Sequence, residues 1–117
     1  METIKFSCNW NNKLNNSAFT TIRLHNQRKY IKNNHYLIDL KGYTKGIAVL
    51  KGICVLKISE LNDYITYLDT GYNLTETTKI LQNMYKNINL ESQLFDLCLL
   101  VYEKDRKEND LFSSILS

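Results

Sequence analysis

Phe19–Thr20–Thr21–Ile22–Arg23–Leu24 decides how the rest of this chain is read. The run is short, β-branched and aromatic, and its residues alternate in the manner of a strand. Thr20, Ile22 and Leu24 make one mostly apolar face, and Phe19, Thr21 and Arg23 make the other. On an extended strand the second face sets a ring, a hydroxyl and a guanidinium in a row, about 6–7 Å apart. A guanidinium is a planar fork of five donors suited to phosphate, carboxylate or a base edge. A half-buried strand whose Arg meets solvent or a neighbouring carboxylate satisfies the same pattern. In either case Arg23, opposite Ile22 and Leu24, is expected off the core.

Upstream, Thr3–Ser7 reads as a first strand, followed by an Asn-rich loop over 8–18 that holds Trp10 and Lys13. Asn and Ser bond locally to backbone, so this loop is expected to be compact. Trp10 serves equally as a lid over the sheet edge or as a stacking surface for a base. Downstream, 25–32 is a polar turn carrying Arg28, Lys29, Tyr30 and Lys32, with Asn33–Asn34 at its tip. Residues 35–41 alternate with Tyr36, Ile38 and Leu40 inward, Gly42–Thr44 turns the chain, and 45–58 reads as a long strand bulged near Gly52. Ser59 is the expected cap of a helix whose stripe is Leu61, Tyr64, Ile65 and Leu68, closed by Gly71. Thr75 is expected to cap a second helix with the stripe Thr77, Ile80, Leu81, Met84 and Ile88. Phe95–Tyr102 is almost continuously apolar, an interior strand with Asp96 as its charged exception.

With 117 residues the chain supports one hydrophobic core, here assigned to residues 1–104, followed by a charged tail over 105–117. Asp110 can cap a short helix, Leu111–Leu116, that docks on the domain or on a second copy as a homodimer. The net charge of +3 conceals an asymmetry. Residues 1–58 carry ten basic and two acidic side chains, +8, and residues 59–117 carry five basic and ten acidic, −5. A basic half can present a positive face to phosphates, or the two halves can neutralise one another. No apolar run reaches the ~18–20 residues that span a bilayer, and the first residues lack a signal peptide's apolar centre. Cys8, Cys54 and Cys98 are odd in number and far apart, and Cys54 and Cys98 sit in apolar runs that suggest core positions. No zinc-ligand spacing involves them or His25 and His35, so neither metal nor cofactor is expected. The chain reads as cytoplasmic, with no membrane partner and with unpaired thiols.

Thr21-Ile22-Arg23 after a polar loop, then a basic turn, two strands and a helix, resembles the ASCH domains of the PUA-like superfamily. Ser59–Tyr64 and Tyr67–Tyr72 are similar to the helix and turn of one ASCH-like subgroup, and the likeness spans roughly residues 3–104. The resemblance implies an α+β fold: a small PUA-like mixed β-barrel of about five to six strands flanked by two to three helices. The family signature is Gly-x-Lys-x-x-x-x-Arg. Aligned on Arg23, its Lys falls on Ala18 and its Gly on Asn16, so only the Arg is kept. The resemblance implies a non-catalytic module that binds RNA or a nucleotide in a basic cleft. Arg23, Lys13, Arg28 and Lys29 would hold phosphates there, Trp10 or Tyr30 would stack on a base, and Thr21 would lie beside Arg23. Some relatives resemble small amidohydrolases acting on acylated nucleosides with a Lys, a Thr and a Glu. Thr21 matches that Thr, and Glu60 is the nearest acid after the long strand. Ala18 in place of the Lys argues against an enzyme, because an alanine activates no nucleophile. The third alternative is a protein-interaction factor of a mobile element or phage that binds a host protein.

Overall fold

The computed structural model describes residues 1–104, and the docking helix expected over 111–116 lies outside them. Five strands form one sheet: β1 (Glu2–Phe6), β2 (Ala18–Leu24), β3 (His35–Leu40), β4 (Tyr43–Leu56) and β5 (Phe95–Tyr102). Two helices, α1 (Asp63–Thr70) and α2 (Leu74–Met84), lie between β4 and β5 in sequence, and a 3₁₀ segment, Trp10–Asn15, joins β1 to β2. The strand order is β1-β3-β4-β5-β2. β1 is parallel to β3, and every other pairing is antiparallel. The fold is α+β, with the sheet curled into a half-barrel. Among the described residues no helix is long and apolar enough to cross a membrane.

The curl has local causes. The β3–β4 hairpin turns at Lys41 and Gly42, whose φ values of 52° and 90° are both left-handed, the requirement of a tight primed turn. The turn therefore comes earlier than the expected Gly42–Thr44. Two register shifts both leave an extra residue on β4, Lys45 opposite Ile38 and Asp39 of β3 and Lys51 between Leu50 and Gly52 opposite β5, the second at the expected bulge. Each extra residue bends its strand and increases its twist. The bending carries the two edge strands, β1 and β2, back toward each other. Their rings meet edge to face, Phe6 against Phe19, with centroids 5.9 Å apart.

Both faces of β2 are covered, which the alternation of Phe19–Leu24 anticipates only in part. Phe19 packs inside the curl with Ile4, Phe6, Tyr36, Ile38, Leu50, Cys98 and Leu100. Ile22 packs on the other face with Leu56, Leu61, Leu81 and Phe95, beneath the helices. Tyr36 and Ile38 are fully buried as expected, whereas Cys54 is exposed. A two-sided strand lets one β2 face carry polar groups inward while the other holds the helices.

Helix α1 keeps only half of its expected apolar stripe inward: Leu61 and Ile65 pack against the core beneath the helices, and Tyr64 and Leu68 do not. Its cap is Asn62, whose side chain accepts from Ile65 N, and not Ser59, which lies in a separate 3₁₀ turn, Ile58–Glu60. Tyr64 and Leu68 are 84% and 71% exposed, while Thr66, Asp69 and Thr70 are buried. The Thr70 hydroxyl donates to Thr66 O at 2.8 Å, lies 2.8 Å from the Thr77 hydroxyl of α2 and accepts from Tyr72 N at 3.1 Å. A satisfied threonine lattice thus joins the apolar contacts of Leu61, Ile65, Leu74 and Leu81 between the helices. α2 begins after Asn73, not Thr75; Thr77 and Leu81 are buried as read, and Ile88 falls beyond its end. In urea denaturation, Thr70→Val is expected to cost about 1–3 kcal/mol by orphaning buried partners. Tyr64→Ser and Leu68→Ser are expected to stay within about 0.5 kcal/mol. The reverse order would restore the apolar-stripe packing.

Candidate functional site

Because β1 and β2 approach without pairing, a seam opens between them, and a cleft lies on it. This cleft has a volume of about 330 Å³. β1 and the residues after it supply Lys5, Phe6 and Cys8, and β2 supplies Thr21 and Arg23. Trp10 and Lys13 enter from the 3₁₀ segment, Asp69 from α1, and Ile80, Leu81 and Met84 from α2. The volume is at the lower end of the range typical of small-molecule sites, about 300–1,000 Å³.

The Asn-rich loop places Lys13. Asn11 and Asn12 adopt left-handed φ values of 57° and 52°, which asparagine tolerates better than most residues. The Asn9 side chain accepts from Leu14 N at 2.8 Å, and Asn11 donates to Tyr67 O of α1 at 3.3 Å. Trp10 packs edge to face on Tyr72, with centroids 6.1 Å apart, so it acts as a wall anchored to the helix turn. Lys13 is thereby driven inward. Its Nζ lies 3.0 Å from Asp69 Oδ1, and the two side chains are 5% and 6% exposed. Thr20 Oγ1 donates to the same oxygen at 2.9 Å. Burial pushes the Lys13 ammonium below its ordinary value; Asp69 pulls it back up, and the Arg23 charge adds to the lowering.

Arg23 is held on two sides. Its Nε donates to Thr21 Oγ1 at 2.9 Å, and its guanidinium carbon sits 4.4 Å from the centroid of the Phe6 ring. Lys13 Nζ lies 5.7 Å from that centroid, so both cations share one aromatic platform. No ion pair among the described residues includes Arg23.

Of the residues singled out in the sequence, Trp10, Lys13, Thr21 and Arg23 meet in this cleft. Lys29 and Tyr30 meet Arg23 in a neighbouring hollow, while Arg28 is exposed and lines neither. Glu60 is spent on its own turn, accepting from Lys57 N at 3.0 Å. Asp69 was not among the residues expected at the site. An acid in the last turn of a helix opposes the helix dipole, and that placement is the sequence clue to another duty. His25 and Asp96 are likewise an unforeseen pair, with Nδ1 to Oδ1 at 2.7 Å. No group of His, Cys, Asp and Glu among the described residues is arranged to hold a metal ion. The chain matches no protein-family model, no curated protein and no solved structure.

Removing one partner of a buried ion pair strands the other, at a cost of about 3–5 kcal/mol. Lys13→Met and Asp69→Leu are each expected to lose that much stability, and the double substitution to lose less than either. The cost of Asp69→Leu should shrink as pH rises, since an unpaired Lys13 can then shed its proton. Additive costs in the double variant would mean that the two side chains act independently.

Proposed function

We propose that the seam cleft binds a nucleotide, free or within single-stranded RNA, with Arg23 on its phosphate. The observation that carries this reading is the state of Arg23. The guanidinium is fixed by a hydroxyl and a ring and enters no ion pair among the described residues, although Asp96 is its cross-strand neighbour and Asp39 and Asp69 line the same cleft. A guanidinium so placed suits an anion from outside. Lys5 and Lys41 at the cleft rim add positive charge, and Ile80, Leu81 and Met84 give an apolar wall for a base or sugar. The enclosed volume suits one nucleoside better than a duplex, and RNA-binding modules commonly take unstacked bases in such sites. The half-barrel with helices over it agrees in strand and helix number with an ASCH-like, PUA-like module. That family assignment is part of the proposal.

One observation favours a second reading, a small amidohydrolase for acylated nucleosides. The argument against an enzyme rests on Ala18 in the family's lysine position. Ala18 is exposed and does not line the cleft, whereas Lys13 lines it together with Thr21 and Asp69. A lysine, a threonine and an acid therefore share one cavity. Binding without turnover is nevertheless the better fit. The Lys13 Nζ is engaged by Asp69 Oδ1 and Thr21 Oγ1 accepts from Arg23 Nε, so neither group is poised on the other.

Arg23→Ala is expected to stay folded and to weaken short single-stranded RNA by roughly 1.5–3 kcal/mol, the worth of a charge-assisted bond. The dependence of binding on salt should become shallower as well. A folded variant that binds as well as the parent removes Arg23 from the site. Incubation with an acylated cytidine separates the two readings. No turnover above a protein-free control is expected, and turnover that Lys13→Ala and Thr21→Ala both abolish would put the hydrolase first.

A further inference from the structure

Arg23 also borders a second concavity, one that Lys13 does not line. This hollow, of about 370 Å³, is lined by Arg23, His25, Lys29, Tyr30 and Tyr85 among others, and no carboxylate is on its wall. The nearest acid, Asp96, is fully buried behind it and spent. Its Oδ1 takes the Nδ1 proton of His25 at 2.7 Å, and its Oδ2 accepts from Asn26 N at 2.8 Å. An isolated carboxylate in an interior strand is costly, and these two bonds offset the cost. They also leave Nε2 as the remaining polar atom of the His25 ring, which is 29% exposed.

The turn that carries Lys29 is equally fixed. Asn26 caps it, its side chain accepting from Arg28 N and Lys29 N at 3.2 and 3.1 Å. From beneath, the Tyr36 hydroxyl donates to Lys29 O at 2.6 Å and accepts from Ile31 N at 2.8 Å. Lys29 Nζ then lies 5.7 Å from the centroid of the Tyr30 ring. Arg23, His25 and Lys29 share this lining as a donor-rich wall, and Tyr85 adds an aromatic side. That chemistry suits a phosphate next to a base.

We propose that the cleft and this hollow are two subsites for one ligand, a single strand of at least two nucleotides whose linking phosphodiester lies on Arg23. The inference rests on the nucleotide reading of the cleft and deepens it by naming a dinucleotide as the minimal ligand. Arg23 has five N–H donors and Thr21 engages only Nε, so the Nη groups can take both non-bridging oxygens of one phosphodiester. One nucleoside then enters the seam. The other lies against Tyr85, with Lys29 and His25 toward its outer phosphate.

The test compares ribonucleoside 5′-monophosphates with the corresponding 5′-phosphorylated dinucleotides by calorimetry at one ionic strength. It uses the parent protein, Lys29→Ala and Arg28→Ala. Arg28 is the charge control, since it is exposed on the same turn but lines neither concavity. The parent should hold the dinucleotide about tenfold or more tighter than the mononucleotide, the gain of one further charge-assisted contact. Lys29→Ala should abolish that gain, and Arg28→Ala should preserve it. Equal affinity for both ligands, or equal losses in the two variants, would overturn the two-subsite proposal while leaving the cleft reading intact. Binding of neither ligand would overturn both.

Discussion

The pair formed by Lys13 and Asp69 is the constraint on which the seam depends. It joins the loop after β1 to the last turn of α1, and Thr20 ties β2 to the same carboxylate. Three separate segments are thus fixed to one oxygen, and the cleft is the space they enclose. Two opposite charges in the interior stabilise little on balance, because desolvation offsets most of their attraction. Their effect is positional: any other arrangement of the loop would leave one of the charges buried alone. Phe6 makes the arrangement tolerable, since its ring face receives both Lys13 and Arg23.

Much of the sheet was legible from alternation. Phe95–Tyr102 has the bounds expected of it, the bulge before Gly52 lies where expected, and Tyr36 and Ile38 face inward. The helices were less legible because their buried face is partly polar. Periodicity finds apolar stripes, and in α1 only Leu61 and Ile65 of the expected stripe pack inward, while Tyr64 and Leu68 face solvent. Thr66, Thr70 and Thr77 are buried because their hydroxyls satisfy one another and nearby backbone, a cross-helix match that no single-helix pattern contains. Asn62 and Asn73 cap the helices in place of the expected Ser59 and Thr75, one cap residue competing with another close by.

The site was legible residue by residue but not as an arrangement. Arg23 stood out by strand parity, Lys13 and Trp10 by their place in a polar loop. Their convergence depends on the left-handed backbone at Asn11 and Asn12 and on the return of β1 toward β2, which only the folded chain displays. Reading the lysine position from alignment on Arg23 led to Ala18, an exposed residue at the start of β2. A lysine five residues earlier reaches the cleft because a 3₁₀ segment, not an extended strand, carries it. Asp96, expected only as an anomaly of an apolar strand, is the carboxylate that fixes His25 and the basic turn.

The claim that a buried Lys13–Asp69 pair organises the seam is tested most directly by following the Lys13 side chain by NMR across alkaline pH. The account predicts that Lys13 loses its proton below the ordinary lysine value of 10.5, because burial outweighs the pull of Asp69. The unfolded chain then holds more protons than the folded one between those two values, so Lys13's contribution to stability should rise with pH across that window. A Lys13 that titrates at or above 10.5, with no dependence on Asp69, would place it in solvent and contradict the account.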